Sequence, residues 1–231
     1  MSLVFIISAP SGSGKSTLVN EIKRLVDKLD FSVSYTTRHP RGSEENGREY
    51  YYTSRDVFER MIAHGEFLEY ANVFENYYGT ARKFLHDAIV RRHDLLLDID
   101  VQGASQLQKS LPDAISIFVL PPTKQELENR LRRRSSAERM TDESVIKRRL
   151  ETATREIEEY GKYDYILVND HLDDSIDGLK AIILTERLRA AGLEPSRADE
   201  QSLVELAQAR KLERVRPTLG PILDSFRETT P

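Results

Sequence analysis

The sequence predicts an α/β fold, a parallel sheet flanked by helices, with a small β-rich insertion and a helical lid. Three observations carry this. The apolar run Leu3–Ile7 leads through a glycine-rich turn into a helical pattern at Leu18, Ile22, Leu25, Val26 and Leu29. Further buried-strand runs at 94–98, 115–120 and 163–168 alternate with helical stretches, as strand–helix units of a parallel sheet do. Residues 31–80 instead crowd several short strand-like pieces around one helix, so they do not continue that alternation.

In chain order, Phe31–Thr37 alternates as a strand, with Ser32 and Ser34 on one face and Val33 and Tyr35 on the other. A polar loop with Pro40, Gly42 and an Asn46-Gly47 turn leads to a short strand at 48–52. Thr53 or Ser54 caps a helix through Val57, Phe58, Met61 and Ile62. The strands 66–70 and 73–78 follow, joined by a tight turn, and Gly79-Thr80 opens a helix through Phe84, Leu85, Ile89 and Val90. Pro121-Pro122 stops the strand at 115–120, and Thr123 caps a helix through Leu127 and Leu131 that ends in a polar turn reaching Met140. A second helix runs from a Thr141-Asp142 cap to Tyr160. After Asn169-Asp170 a long helix covers Ile176 to Leu188, and Gly192 and Pro195 end it. Residues 202–214 offer one thinly apolar helix, and Pro217, Pro221 and Pro231 interrupt what remains. The expected organisation is a core of 1–33, 81–122 and 161–192, an insertion of 34–80, a lid of 123–160, and a tail of 193–231 that is peripheral or disordered.

Composition narrows the function. A net charge of −4 argues against a general nucleic-acid binder. Zero Cys excludes disulfides, thiolate zinc sites and thiol catalysis, and fits a reducing cytoplasm. The five His lack metal-ligand spacing. No apolar run approaches membrane-span length, and the N-terminus lacks a signal-peptide pattern, so the chain is expected to be soluble and cytoplasmic.

The chemistry begins at Ala9-Pro10-Ser11-Gly12-Ser13-Gly14-Lys15-Ser16-Thr17. Strand, glycine-rich turn and helix is the context of a phosphate-binding loop. Gly12 and Gly14 let backbone N–H groups curl around a phosphate, and the following helix adds the positive end of its dipole. Lys15 can reach the outer phosphates of a nucleotide, and the Ser16 hydroxyl can take one Mg²⁺ position. Ala9 stands where the general pattern has Gly. The bland alternative is an ordinary Ser/Gly turn, which Gly-x-Gly-Lys-Ser-Thr after a buried strand disfavours. Asp98, ending a strand predicted beside this loop, is placed to support Mg²⁺.

Three further clusters carry charge. Arg130, Arg132, Arg133 and Arg134, with Arg148 and Arg149 one helix later, form either a solvated face or an arginine-bearing lid over a nucleotide. Arg38 and Arg41, near Tyr50, Tyr78 and Thr80, form either a polar loop or a second anion site suited to a monophosphate. Ser34 and Glu69 are polar strand residues, and a carboxylate can accept both N–H groups of the guanine Watson–Crick edge, a donor pair that adenine lacks.

Ser-Ala-Pro-Ser-Gly-Ser-Gly-Lys-Ser-Thr, Ser-Tyr-Thr-Thr-Arg-His-Pro-Arg, Asn-Gly-Arg-Glu-Tyr-Tyr-Tyr, Gly-Glu-Phe-Leu-Glu-Tyr, Asn-Tyr-Tyr-Gly-Thr, Leu-Asp-Ile-Asp-Val-Gln-Gly and Val-Asn-Asp, in that order, resemble the guanylate kinases over about residues 2–190. The resemblance implies a P-loop NTPase core, a GMP-binding insertion and a lid, and transfer of phosphate from ATP to GMP with Mg²⁺, as monomer or homo-oligomer. It implies that residues 9–17 hold ATP, that Lys15, Arg38, Arg134 and Arg149 serve the transferring phosphate or its acceptor, and that Asn169 lies on the adenine side. It implies that Ser34, Glu69, Thr80 and Asp100 read guanine, that Arg38, Arg41, Tyr50 and Tyr78 hold the GMP phosphate, and that Asp98 supports Mg²⁺ or the nearby ribose. The chain departs from the family at Arg132-Arg-Arg-Ser135, where Arg-Gly-Arg-Gly is common, and in a longer lid turn. Rival readings are a kinase for another small phosphate ester and an inactive interaction module of the same fold.

Overall fold

The computed structural model describes residues 2–73, 75–137 and 142–227. The chain divides into two units, Met1–Ile7 with Lys28–Ile115, and Ser8–Asp27 with Ser116–Pro231.

The first unit holds a parallel sheet portion built from β1 (Val4–Ser8), β2 (Leu29–Phe31) and β7 (Asp94–Asp98). β7 pairs with both neighbours, and its last residue, Asp98, lies opposite Ile7. Phe5, Ile6, Ile7 and Leu95–Leu97 are fully buried, which is why these strands read as continuous apolar runs rather than alternating ones. A second sheet has the order β4 (Tyr51–Tyr52), β3 (Tyr35–Thr36), β6 (Asn76–Ala81), β5 (Phe67–Val73). Over it, α2 (Arg55–Ala63) buries Phe58, which stacks on Phe67 and Tyr77. Ser54 caps that helix by accepting from the Val57 N–H at 3.3 Å. Helices α3 (Arg82–Arg91) and α4 (Val101–Ser110) complete the unit.

Three expectations differ from this structure. Residues 31–37 do not form one strand. The Ser32 N–H continues the parallel ladder to the Leu96 carbonyl, whereas the Ser34 carbonyl accepts from Tyr51 in the other sheet. Leu29, read with the first helix, begins β2, and Gly79-Thr80 stay in β6, so α3 starts at Arg82. Helix α4 was not anticipated, because its Gly and Ser content dilutes the helical signal.

The second unit starts at the glycine-rich loop and α1 (Lys15–Leu25). β8 (Ile115–Leu120) pairs in parallel with β9 (Tyr165–Val168). The helical hairpin α5 (Lys124–Ala137) and α6 (Glu143–Ile157) connects them. Asp142 caps α6 by accepting from the Ser144 N–H at 2.9 Å. Residues 135–137, expected to open the turn between these helices, stay in α5, and the rest of that turn, 138–140, with the Thr141 half of the cap, lies outside the described residues. The long helix α7 (Leu172–Ala190) ends at Gly192, whose φ is +65°.

The tail holds more helices than the one expected. It folds into α8 (Ala198–Gln208), α9 (Leu212–Val215) and α10 (Gly220–Arg227), burying Ala207, Leu219 and Phe226. The single helix expected over 202–214 breaks because Arg210 and Leu212 turn their backbone toward β9. The Ile166 N–H donates to the Arg210 carbonyl at 2.8 Å, and the Leu212 N–H to the Asp164 carbonyl at 3.0 Å. Among the described residues no helix is long and apolar enough to cross a membrane.

Candidate active site

In the second unit the loop turns on two residues that need a left-handed backbone, Gly12 at φ +92° and Gly14 at φ +90°. The Ser13 N–H closes a turn on the Pro10 carbonyl at 3.1 Å. No side chain caps the N-terminus of α1 and no acid sits in its first turn, so its positive end is not neutralised there. Ala9, Pro10 and Ser13 are buried, Lys15 is half-buried, and Ser11, Ser16 and Thr17 are exposed. The Ser13 Oγ is buried without a hydrogen-bond partner in the chain.

Neighbouring side chains hold this loop in shape. A Cβ on Gly12 would meet Leu131 at 3.0 Å and Leu127 at 3.1 Å, and both leucines are fully buried. A Cβ on Gly14 would meet the Asn169 Nδ2 at 2.2 Å. That nitrogen donates to the Ser13 carbonyl at 2.7 Å, so Asn169, which follows β9, braces the loop backbone. The Arg130 Nη1 comes within 3.9 Å of the same Cβ position, while its Nε donates to Glu126 at 2.8 Å. Glu126 also accepts from Arg133, and Arg132 is held by Glu128 and by Glu143 across the hairpin. Arg134 and Arg148 are exposed and Arg149 is half-buried. The arginine run thus splits into members paired within the hairpin and a member, Arg130, that reaches the loop. Sequence reasoning did not separate Arg130 from the rest of the run.

The first unit gathers the residues of the second expected anion site. Arg38 bonds Glu44 at 3.1 Å, forms an ion pair with it at 2.9 Å, and lies over the Tyr50 and Tyr52 rings. Tyr78 packs edge-on against Tyr50 with ring centres 5.7 Å apart. The Arg41 N–H and the Tyr52 hydroxyl both donate to Glu44, at 2.8 and 2.7 Å. Burial alone would raise the Glu44 pKa, but the bonds from Arg38, Tyr52 and the Arg41 backbone bring it down to about 2. Burial pulls the Arg38 guanidinium down, yet Glu44 and Tyr78 outweigh it and hold its pKa above the ordinary arginine value. Burial first, then the charge of Asp98, pushes the Tyr50 phenol up, which places Asp98 in the field of this cluster. Glu44 and Tyr52 were missed from the sequence, although Arg38, Arg41 and Glu44 at three-residue spacing were a readable signal.

The polar strand residues meet in the same unit. The Ser34 Oγ lies 3.4 Å from the Thr80 Oγ1, and Thr80 is the cross-strand partner of Glu69. Glu69 and Thr80 are buried. A Cβ on Gly103 would stand 2.4 Å from the Glu69 Oε2, so the carboxylate lies on the bare backbone of the first turn of α4. Asp100 caps that helix, accepting from the Gly103 N–H at 2.8 Å. Gln106 fixes β5 to α4 by bonding both the N–H and the carbonyl of Tyr70. The role of Gly103 was not foreseen, though it ends the Val-Gln-Gly motif.

Comparison with known proteins adds to this geometry. The family model described as Guanylate kinase matches residues 1–186, which leaves α8–α10 beyond it. The guanylate kinase of Koribacter versatilis (strain Ellin345) is 51% identical over 227 residues, 98% of this chain and 97% of its own. That of Escherichia coli (strain K12) is 45% identical over 188 residues, 80% of this chain and 89% of its own. The crystal structure of guanylate kinase from Anaplasma phagocytophilum superposes with a TM-score of 0.63 at 32% identity, covering 90% of this chain and 95% of that one. With its glycine-rich loop, its arginine–tyrosine cluster and its buried strand carboxylate, the chain belongs to the guanylate kinase family.

Proposed function

We propose that the two sites divide the substrates of one reaction. The enzyme is an ATP:GMP phosphotransferase, a nucleoside monophosphate kinase that converts ATP and GMP to ADP and GDP. In this reading residues 9–17 bind the ATP phosphates, and the orphaned Ser13 hydroxyl supports it as a group a bound nucleotide would satisfy. Lys15, Arg130, Arg134 and Arg149 supply positive charge to the transferring phosphoryl group. Arg38, Arg41, Tyr50 and Tyr78 hold the GMP phosphate, displacing part of the Arg38–Glu44 pairing. Ser34, Glu69, Thr80 and Asp100 read guanine. The acceptor is already an anionic oxygen, so positioning and charge neutralisation suffice without a strong base.

For Mg²⁺, the exposed Ser16 hydroxyl at the start of α1 offers a hard oxygen of the kind that ion takes, and in the other unit the half-buried Asp98 carboxylate is one as well. Mg²⁺ takes few protein ligands and keeps phosphate and water in its shell. Mg²⁺ bound with ATP would neutralise phosphate charge. Lys15 and Ser16, both retained, leave no feature that favours an inactive interaction module. Free nucleotide substrates and a chain without Cys fit the cytoplasm.

The observation that carries the choice of GMP is the buried Glu69 carboxylate beside Thr80 and Ser34. The test is ADP formation with GMP, AMP, CMP and UMP as acceptors. AMP would present an N1 acceptor to the carboxylate in place of a donor pair, so it should be worse than GMP by about 10⁴-fold. Glu69→Gln should narrow that gap, and an unchanged GMP/AMP ratio would move guanine reading elsewhere.

A further inference from the structure

Besides packing α8 on α7, where the Thr185 hydroxyl donates to the Leu203 carbonyl at 3.4 Å, the tail beyond the family match makes two attachments that lead to the phosphate loop. The first is at β9. Lys211 forms an antiparallel bridge with Tyr165, flanked by the Ile166–Arg210 and Leu212–Asp164 backbone bonds. Arg210 anchors this stretch by lying on Gly178 of α7 and donating to the carbonyls of Leu206 and Asp174. β9 leads directly to Asn169, the residue that braces Ser13 and Gly14. The second attachment is at α5. The Ser225 hydroxyl accepts from the Lys124 N–H at 3.1 Å while donating to the Ile222 carbonyl at 2.6 Å. It therefore serves as a second N-terminal cap for α5, beside Thr123, which accepts from the Glu126 N–H at 3.1 Å. Helix α10 packs on α5, with Phe226 buried. From that fixed end α5 runs to Leu127 and Leu131 against Gly12, and carries Arg130 toward Gly14.

We propose that the segment 197–227 is a two-point clamp that sets the geometry of the donor-phosphate loop, and that Ser225 is a positioning residue for Arg130 and the loop through α5. This rests on the assignment of residues 9–17 to ATP. The clamp acts on the donor nucleotide alone, because both of its attachments belong to the loop's own unit, while the acceptor residues belong to the other. It requires a hydroxyl at position 225 and an apolar anchor at 226, not merely a folded tail.

The test uses the full chain with Ser225→Ala, Ser225→Thr and Phe226→Ala. KM for ATP, KM for GMP, ADP affinity by titration calorimetry and the melting temperature are measured for each. Ser225→Ala should raise KM for ATP and the Kd for ADP about fivefold, the effect of losing one helix cap. KM for GMP should not change, and Ser225→Thr, which keeps the hydroxyl, should restore the wild-type value. Phe226→Ala should weaken ATP and ADP in the same selective way and more strongly. Unchanged ATP and ADP affinity in both Ser225→Ala and Phe226→Ala would overturn the proposal. So would a parallel loss for ATP and GMP, or failure of Ser225→Thr to restore ATP, since either describes a tail that only stabilises. Lys15→Ala measured alongside separates the premises: if it leaves ATP use intact, the loop assignment has failed rather than the clamp.

Discussion

Gly103→Ala tests the acceptor site through a single methyl group. The new Cβ would stand 2.4 Å from the Glu69 Oε2 and 3.0 Å from its Cδ, where ordinary contact begins at 3.4 Å. The carboxylate must therefore retreat by about 1 Å. Gly103 lies inside a helix, so Ala is not strained there and adds about 0.5–1 kcal/mol of helix stability. The overpacking opposes this gain, and the melting temperature should move by only a few degrees, about 2–4 °C per kcal/mol. Activity should respond far more. A misplacement of about 1 Å in a positioning group can lower rate by about 10²-fold. The expected result is a loss of about 10² in kcat/KM for GMP, with KM for ATP unchanged and the GMP/AMP preference reduced. The assay is steady-state ADP formation with each acceptor, run beside a thermal melt. A variant that melts like the wild type and keeps kcat/KM for GMP within about twofold would refute the reasoning, because it would show that the Glu69 position does not matter to guanine.

Other expectations concern the same two sites. Lys15→Ala should lower kcat by about 10²–10³ while leaving the melt nearly unchanged, because the half-buried lysine serves phosphate charge and not the core. Arg38→Ala should weaken GMP and AMP together by about 10–100-fold, the range of a hydrogen bond to a charged group, since both acceptors carry the same phosphate; a selective loss for GMP would contradict it. Glu44 has its pKa depressed from 4.5 to about 2, so the stability it contributes is full above about pH 4.5 and is lost as pH falls toward 2. Urea midpoints should then separate wild type from Glu44→Gln at pH 7 and converge as the pH is lowered through that window. A difference that stays constant would show that the pairing is not the cause.

The shape of the loop was legible because it follows a fixed local order: two glycines at positive φ, then Lys and Ser at the start of a helix. The buried runs at Leu3–Ile7 and 94–98 were legible because both of their faces are covered, which leaves an unbroken apolar string. Residues 31–37 were harder. Alternation reports that a segment is extended, but not which partner it chooses, and the chain changes sheets between Ser32 and Ser34. Helix α4 was hidden because Gly103, which weakens helical propensity, is there to make room for a carboxylate 34 residues earlier in the sequence. The tail misled for a related reason. Leu203, Leu206 and Leu212 make a thin stripe, and the groups that dock it are mainly backbone bonds at Arg210 and Leu212 and one hydroxyl at Ser225, which no hydrophobic pattern reveals. Arg132 and Arg130 look alike in a charge run. Only their distance from Glu143 and from Gly14 tells a structural pair from a residue at the loop.

The bridge between Lys211 and Tyr165 also bears on colloidal behaviour. β9 uses one side to pair with β8, and its other side meets the tail through that bridge and the two backbone bonds around it. Tyr165-Ile-Leu-Val168 is a short β-branched and aromatic strand without charge or proline, the composition that templates pairing with another chain when a strand flank is bare. A protease that nicked the exposed stretch around Leu193–Arg197 and released the helices beyond it would uncover that flank on an otherwise folded enzyme. Loss of the tail would then be visible as concentration-dependent aggregation alongside the weaker hold on ATP.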